Sequence, residues 1–331
     1  MQAALTPMLM MMFSVLFPSK MWYSPDQPIN VQIKGSGGDV VLVLTDFLGK
    51  RIEGETMPTF HDNDTVDIKT LWPTFRNPGA YLLLAVPKGK SPSQFVGTPL
   101  VITVREDKRR DAAPGPMVIK VEPLRFAIIS TDKGKMTAVF YYDAAPDTVN
   151  NFLTLASEGF YDGLPIHRIV KNFVVQMGDP RGDGTGGPGY HIEAEFNPKA
   201  HVKGVLSMAR QGDPLEAQGQ MPRTEAANSA GSQFFICLNE EYTKQLNGRY
   251  TAFGRVVEGL DVLDAIAATP TDAKTERPTT REAVDGIRVI SVTPENNPYA
   301  SILNLSTVPV ETPSTPPAGA APAAATSQPA Q

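Results

Sequence analysis

The order of apolar and polar residues predicts a chain that is mainly β-structure. Between residues 19 and 108, short apolar runs are separated by clusters of Gly, Pro, Asn and Asp, and no long stretch has helical periodicity. The apolar runs lie at residues 31–33, 40–44, 81–86 and 100–104. This spacing predicts a small β-sandwich-like domain at 19–108. Its role is unknown, because no catalytic pattern stands out in it.

A second region, residues 122–294, combines more strands with two amphipathic helices. Alternating apolar residues at 124–128 and 136–140 flank a turn at 132–135, which predicts a β-hairpin. Pro146 fits the first position of a helix whose apolar residues follow a helical period, and a second such helix begins near Leu260. Many strands with two helices favour a closed barrel with helices over its openings.

The remaining segments have the composition of leaders, linkers and tails. Residues 1–18 form an apolar leader, whose run Met8–Phe17 is too short to span a bilayer and suits the apolar part of a signal peptide. No Lys or Arg precedes that run, so a start without a targeting role is the alternative. Residues 109–121 read as a linker, and the Pro- and Ala-rich residues 295–331 as a disordered tail. Export to the periplasm or cell envelope is favoured, with the cytoplasm as the alternative.

Composition removes several classes of function. The net charge is −5 with both signs interspersed, which gives no basic patch for nucleic acid. Cys237 is the single cysteine, so the chain can form neither an internal disulfide nor a Cys-based zinc site. His191, Glu193 and Glu195 alternate as metal ligands could, but a half-exposed strand explains the same spacing. We therefore expect neither a metal nor a nucleic acid as a partner. We also expect no membrane span and a monomeric protein.

Five sequence blocks within 122–294 carry a resemblance to a known family. They are Phe160-Tyr161-Asp162-Gly163 with Ile166-His167-Arg168-Ile169-Val170, Phe173-Val174-Val175-Gln176-Met177-Gly178-Asp179, Gly204-Val205-Leu206-Ser207-Met208-Ala209, Asn228-Ser229-Ala230-Gly231-Ser232-Gln233-Phe234-Phe235-Ile236, and Leu246-Asn247-Gly248-Arg249-Tyr250-Thr251-Ala252-Phe253-Gly254. In order and approximate spacing, these blocks resemble the cyclophilins, which are peptidyl-prolyl cis/trans isomerases. The resemblance implies an eight-stranded antiparallel β-barrel capped by two helices.

The resemblance also implies an activity, a substrate class and a set of site residues. The expected activity is rotation of X–Pro bonds in proline-containing polypeptides, which assists protein folding without a cofactor or metal. Arg168 and Gln176 match the catalytic positions of the family. The matched substrate-binding positions are Phe173, Val174, Met208, Ala209, Arg210, Phe235, Leu246 and Tyr250.

The chemistry of the reaction explains why an arginine suits this role. Rotation about an X–Pro bond has a barrier of roughly 20 kcal/mol, because amide resonance is lost. In the twisted amide the proline nitrogen becomes basic, so a fixed donor such as Arg168 stabilises only the transition state. No proton transfer is needed, and His167 is therefore interpreted as a structural residue.

Three departures from the family pattern leave alternatives open. Gln245 stands where cyclosporin-sensitive relatives carry Trp, Met177 replaces a glycine, and residues 210–232 form a longer loop than in compact relatives. That loop is either a passive insertion or an extension of substrate recognition. The loop, Met177 and the extra N-terminal domain together motivate an alternative function, a client-binding chaperone or scaffold with weak or no isomerase activity.

We predict that cyclosporin inhibits this protein poorly. Gln245 lacks the indole N–H and the flat apolar surface that Trp supplies at the matching position. Replacing Gln245 with Trp should lower the inhibition constant in a peptide isomerisation assay. Inhibition of the wild-type protein as tight as that of Trp-bearing cyclophilins would contradict this prediction.

Overall fold

The computed structural model describes residues 15–54, 58–106 and 117–310, which form two β-rich units in contact. Within these residues, the N-terminal unit has a three-stranded and a seven-stranded sheet, and the C-terminal unit has one eight-stranded sheet. The predicted order, a sandwich-like unit followed by a barrel, is confirmed. No helix of the described residues is long and apolar enough to cross a membrane.

Two sheets of the N-terminal unit enclose a hydrophobic core. Its strands are β1 (Leu16–Pro18), β2 (Trp22–Tyr23), β3 (Asn30–Ile33), β4 (Val40–Asp46), β5 (Arg51–Ile52), β6 (Thr59–Phe60), β7 (Thr65–Asp67), β8 (Gly79–Pro87), β9 (Val96–Glu106) and β10 (Met117–Pro123). The smaller sheet has the order β1-β3-β7. The larger has the order β2-β10-β9-β8-β4-β5, and β6 also pairs with β4.

The larger sheet is buried on both faces. In β4, Val40, Leu42 and Leu44 pack into the core of the N-terminal unit, whereas Val41 and Val43 pack into a second cluster shared with the barrel. Successive side chains of a strand point to opposite faces, so an unbroken apolar run requires cover on both sides. The apolar run at 40–44 is therefore explained by two contacts, with the sandwich core on one face of the strand and with the barrel on the other.

Two predicted boundaries shift because their residues join these sheets. The leader was predicted to end at residue 18, but Leu16–Pro18 pairs with β3, and Val15 and Leu16 are buried. The linker was predicted for 109–121, but Met117–Pro123 forms β10, which pairs along its length with β9. Apolar residues in both segments fill the core, so they are part of the fold. Residues 1–14 and 107–116 lie outside the described residues.

The barrel of the C-terminal unit is a single antiparallel sheet. Its strands are β11 (Arg125–Thr131), β12 (Gly134–Phe140), β13 (Arg168–Val170), β14 (Val174–Met177), β15 (Val205–Met208), β16 (Phe234–Cys237), β17 (Ala252–Glu258) and β18 (Val284–Ser291). Their order is β13-β14-β16-β15-β17-β12-β11-β18. The chain just before β13 hydrogen-bonds the start of β18, where Gly163 donates its N–H to the carbonyl of Val284 at 2.8 Å. The two ends of the sheet therefore meet.

Two longer helices pack against this sheet, as predicted. The helices of the described chain are α1 (Pro146–Ser157), α2 (Thr224–Ala227), α3 (Glu240–Thr243) and α4 (Leu260–Ala267), with short 3-10 turns at Ile68–Thr70, Pro73–Arg76, Pro92–Gln94, Pro214–Gln218, Lys244–Leu246 and Pro298–Ser301. Phe152 of α1 inserts into an aromatic cluster, with ring centroids 5.2 Å from Phe234 and 5.3 Å from Phe253. This cluster fixes α1 over the barrel.

The segment after β18 lies between the two units. The predicted disordered tail began at residue 295, but Tyr299, Leu303 and Val310 are buried in the shared cluster. The ring of Tyr299 lies 6.3 Å from that of Phe47 in the N-terminal unit. Its hydroxyl accepts from the Phe140 N–H at 2.9 Å and donates to the Arg125 carbonyl at 2.8 Å. These apolar anchors explain why 295–310 is ordered here; residues 311–331 lie outside the described residues.

Charged groups also join the two units. Glu122, on the last strand of the N-terminal sheet, accepts from Arg125 at 2.6 Å and pairs with Lys120, whose side chain is only 4% exposed. Lys120 also donates to Asn150 of α1 at 2.7 Å, and Arg105 pairs with Asp147 of the same helix. Burial lowers the pKa of Lys120, although the nearby Glu122 carboxylate opposes that shift. The network therefore joins α1 to the last two strands of the N-terminal unit.

Replacing Tyr299 with Phe should lower the free energy of unfolding by about 1–3 kcal/mol. The ring would still fill its site, but the buried Phe140 N–H and Arg125 carbonyl would lose their partner. Urea denaturation measures this change. Ser301→Ala, an exposed change in the same segment, is the control and should stay within about 0.5 kcal/mol of wild type. Equal stability of the Tyr299→Phe and Ser301→Ala proteins would contradict the prediction.

Candidate active site

A cavity of about 130 Å³ opens on the outer face of the sheet formed by β13, β14 and β16. It is lined by Arg168, Phe173, Val174, Gln176, Ala209, Arg210, Phe235, Leu246 and Tyr250. All of these residues were predicted as site residues from the sequence. They come from segments far apart in the chain, and the antiparallel pairing of the strands brings them together.

Strand alternation separates the wall of the cavity from the interior of the barrel. In β16, Phe235 and Cys237 join a small outer cluster with Val174 and Leu246, whereas Phe234 and Ile236 pack inside the barrel. The ring of Phe235 lies 5.8 Å from that of Tyr250, at a steep angle. The cavity therefore has an apolar floor with one aromatic edge, which suits a small apolar ring.

Met208 is the one predicted substrate-binding residue that lies elsewhere. Its side chain is buried in the interior cluster of the barrel, and it does not line the cavity. Met208 pairs with the inward-facing Phe234 across β15 and β16, and residues paired in register share a face. The prediction for Met208 is therefore wrong, whereas its neighbour Ala209 does line the cavity.

Arg168 is held from two sides. It lies directly opposite Gln176 in the antiparallel pair of β13 and β14, and its Nη1 donates to Gln176 Oε1 at 3.3 Å. Its Nε donates to the carboxylate of Glu276 at 2.7 Å. The Arg168 side chain is 37% exposed, so the guanidinium is fixed and still open to the cavity. Nothing in the sequence points to Glu276, which lies far along the chain in an irregular loop.

Gln176 is itself positioned by a chain of hydrogen bonds. Its amide donates to Gln233 Oε1 at 3.0 Å, and Gln233 donates to the carbonyls of Gly184 and Gly186 at 3.0 and 2.8 Å. Each amide group in this chain has its orientation set by the next. Gln233 has no role predicted from the sequence, although it stands directly before the Phe-Phe pair of β16.

A buried carboxylate organises the glycine-rich loop, residues 182–189, that orients Gln233. Asp179 accepts the N–H groups of Arg181 at 2.7 Å and Gly184 at 2.5 Å, and a β-carbon at Gly186 would overlap the carboxylate. Burial alone would raise the pKa of Asp179, but the backbone N–H donors outweigh it, and the pKa is lowered. Asp179 is therefore a charged, structural residue of the loop.

Arg210 joins the long loop to the rim of the cavity. Its guanidinium, with a side chain 2% exposed, donates to the Glu216 carboxylate at 2.6 and 3.0 Å and lies 4.2 Å from the centroid of the Tyr250 ring. The hydrogen bonds from Arg210 lower the pKa of Glu216. Asp213 caps the 3-10 turn Pro214–Gln218, and Glu216 completes a capping box. The Asp-x-x-Glu spacing in the sequence is typical of a capping box and could have predicted this turn.

A second cavity of about 650 Å³ continues the groove beside the first. It shares Gln176, Ala209 and Arg210 with the smaller cavity, and its other wall is the glycine-rich loop. The two cavities together form a groove that is long enough to hold several residues of an extended peptide. The larger cavity would take the residues on one side of the residue in the smaller cavity.

The other chemically active side chains near the site are not arranged for proton transfer or metal binding. His167 is buried, burial lowers its pKa, and it does not line the cavity. Burial raises the pKa of the Cys237 thiol to about 12, so that thiol stays neutral. No cluster of three potential metal ligands occurs among the residues that the structure describes.

Comparison with known proteins agrees with this geometry. The family model described as cyclophilin type peptidyl-prolyl cis-trans isomerase/CLD matches residues 126–289, a range that contains every predicted site residue. A peptidyl-prolyl cis-trans isomerase of Helicobacter pylori is 43% identical over 145 residues, which cover 43% of this chain and 79% of that protein. The chain belongs to the cyclophilin family. Its activity is therefore that of a peptidyl-prolyl cis-trans isomerase acting on proline-containing peptides.

Further cyclophilins match the same unit of the chain. Peptidyl-prolyl cis-trans isomerase B of Bacillus subtilis is 47% identical over 132 residues, 39% of this chain and 81% of that protein. A crystal structure of a cyclophilin from Cryptosporidium parvum, described in the presence of the dipeptide Ala-Pro, is 30% identical and covers 50% of this chain and 99% of that one, with a TM-score of 0.44.

We predict that Glu216→Ala raises KM for a proline tetrapeptide by about fivefold, with little change in kcat. Losing the carboxylate would loosen Arg210 over Tyr250, although its bonds to the Arg249 carbonyl would remain, and Arg168 and Gln176 are untouched. A fivefold change in KM corresponds to about 1 kcal/mol of binding free energy. Glu225→Ala, an exposed change in the same loop, is the control and should match wild type. A lower kcat at unchanged KM in the Glu216→Ala protein would show that the loop acts on the chemical step instead.

Proposed function

We propose that Arg168 is the catalytic residue of this isomerase and that Gln176 orients it and binds the substrate backbone. The supporting observation is the cavity itself: a small apolar floor with the Arg168 guanidinium, held by Gln176, at its edge. A proline ring seated against Phe235 would bring its ring nitrogen toward Arg168. A guanidinium donor there favours the twisted amide, in which that nitrogen has a free lone pair.

The mechanism needs no acid, base or nucleophile. Tyr250 has a pKa raised by burial, so its hydroxyl is neutral and can only accept or donate a hydrogen bond at the cavity rim. The barrier to rotation falls because the proline nitrogen can accept a hydrogen bond from Arg168 only in the rotated amide, and not in either planar form. Preorganisation by Gln176 means that little reorientation is needed when the bond twists.

The substrates that fit this site are flexible X–Pro segments of polypeptides. The smaller cavity takes a single ring, and the open groove beside it leaves room for an extended chain on one side. A proline in a rigid, folded loop would be excluded, because both the cis and the trans form of its peptide bond must be able to enter and leave the cavity. We propose that the protein assists folding in this way as a monomer.

The alternative is a client-binding chaperone or scaffold with weak isomerase activity. The docked N-terminal unit and the ordered loop at the rim would then serve to hold client chains. The ordered Arg168–Gln176–Gln233 chain supports the enzyme, because a binding surface alone does not require an oriented guanidinium. Export remains a prediction, since residues 1–14 lie outside the described part of the chain.

Arg168→Ala should reduce kcat/KM for a proline tetrapeptide by about a hundredfold, the usual effect of removing one transition-state donor. Arg168→Lys should recover only a small part, because an ammonium lacks the rigid fork of donors. The measurement is a protease-coupled peptide assay, with circular dichroism as the test of folding. Lys171→Ala, an exposed cation in the turn after β13, is the matched control. Activity of Arg168→Ala within about threefold of the control would refute the assignment.

A further inference from the structure

Arg168 and Glu276 form an ion pair across two segments that the strand pairing does not join. Arg168 Nε donates to Glu276 Oε2 at 2.7 Å, whereas Nη1 faces Gln176. Neither contact engages Nη2. The carboxylate therefore holds the guanidinium at Nε, and Nη2 is left for a ligand in the cavity that Arg168 lines.

The loop that carries Glu276 is built to present this side chain. Glu276 has φ +57°, in the left-handed region that residues other than Gly, Asn and Asp rarely adopt. The other non-glycine residues with positive φ in the described chain are Asn63 and Asn172, and asparagine tolerates that conformation. A glutamate there has a conformational cost of about 1 kcal/mol or more, which persists only where the surroundings enforce it.

Hydrogen bonds on both sides of Glu276 enforce that conformation. Its N–H donates to the Asp272 carbonyl at 2.9 Å, and its carbonyl accepts the N–H of Ile169, next to Arg168, also at 2.9 Å. The Asp272 carboxylate in turn accepts the N–H of Thr275 at 2.8 Å. The backbone of the loop is thus bonded directly to β13, so Glu276 and Arg168 keep a fixed separation.

Stability does not explain the ion pair. The Arg168 and Glu276 side chains are 37% and 39% exposed, and pairs this exposed contribute little to folding. A strained backbone that aims a carboxylate at one guanidinium in the cavity wall is better explained by a need for a fixed guanidinium. Strain of this kind is characteristic of functional sites.

We propose that Glu276 is a positioning residue for catalysis, one that fixes the orientation of Arg168 so that its free donors point at the proline nitrogen. This inference rests on the proposed role of Arg168. Glu276 makes no contact with the substrate in this scheme. It restricts a long, flexible side chain to the orientation that the twisted amide needs, which lowers the entropy lost on reaching the transition state.

The test compares Glu276→Ala and Glu276→Gln in the tetrapeptide assay, with Lys274→Ala, an exposed residue of the same loop, as the matched control. Glu276→Ala should lower kcat by about tenfold with KM within about twofold of wild type. Glu276→Gln should recover kcat to within about threefold, because an amide oxygen can still accept from Arg168 Nε. The control should match wild type.

A second readout reports on Arg168 directly. The Nε–H of Arg168 should give a slowly exchanging NMR signal in the wild-type and Glu276→Gln proteins and lose that protection in Glu276→Ala. An unchanged kcat in Glu276→Ala, equal losses in Glu276→Ala and Glu276→Gln, or a loss confined to KM would each overturn the proposal. If Arg168→Ala were fully active, the proposed function would fail separately, and the NMR signal would still report whether Glu276 holds the guanidinium.

Discussion

The register of three antiparallel strands holds the whole site together. Arg168 on β13 lies opposite Gln176 on β14, and Gln176 lies opposite Phe235 on β16. The neighbouring positions Ile169, Val175 and Ile236 are paired in the same way and fill the barrel interior. Burying that inner row stabilises the register that aligns the outer row, because a slip of one residue would exchange the two faces.

A site on the surface of a barrel still needs support from loops, because strand pairing fixes the backbone and leaves long side chains free. Gln233 and the glycine-rich loop hold Gln176 from one side, and Glu276 holds Arg168 from the other. Arg210 and Glu216 hold the rim at Tyr250. Each support reduces the rotamer freedom of a polar side chain, which is the main cost of ordering it at the moment of binding.

The N-terminal unit is attached by an apolar contact and oriented by charges. The outer face of its larger sheet, the residues around Tyr299 and the barrel share one hydrophobic cluster, so separating the units would expose apolar surface to water. Lys120 and Glu122 are too buried to be separated from their partners without a large desolvation cost. None of the residues that line the cavity beside Arg168 comes from the N-terminal unit.

The sequence alone determined the fold class, and the order and spacing of the five blocks that resemble the cyclophilins pointed to most of the residues that line the cavity. Phe173, Phe235 and Arg168 were assigned by that resemblance, because the apolar pattern by itself would place the two phenylalanines in the core. The resemblance could not place Met208 correctly, since a family position does not say which way a side chain points. Nor could it find Glu276, the role of Glu216 or the packing of Tyr299. These depend on contacts between residues far apart in the chain, which only the closed tertiary structure brings within hydrogen-bonding distance.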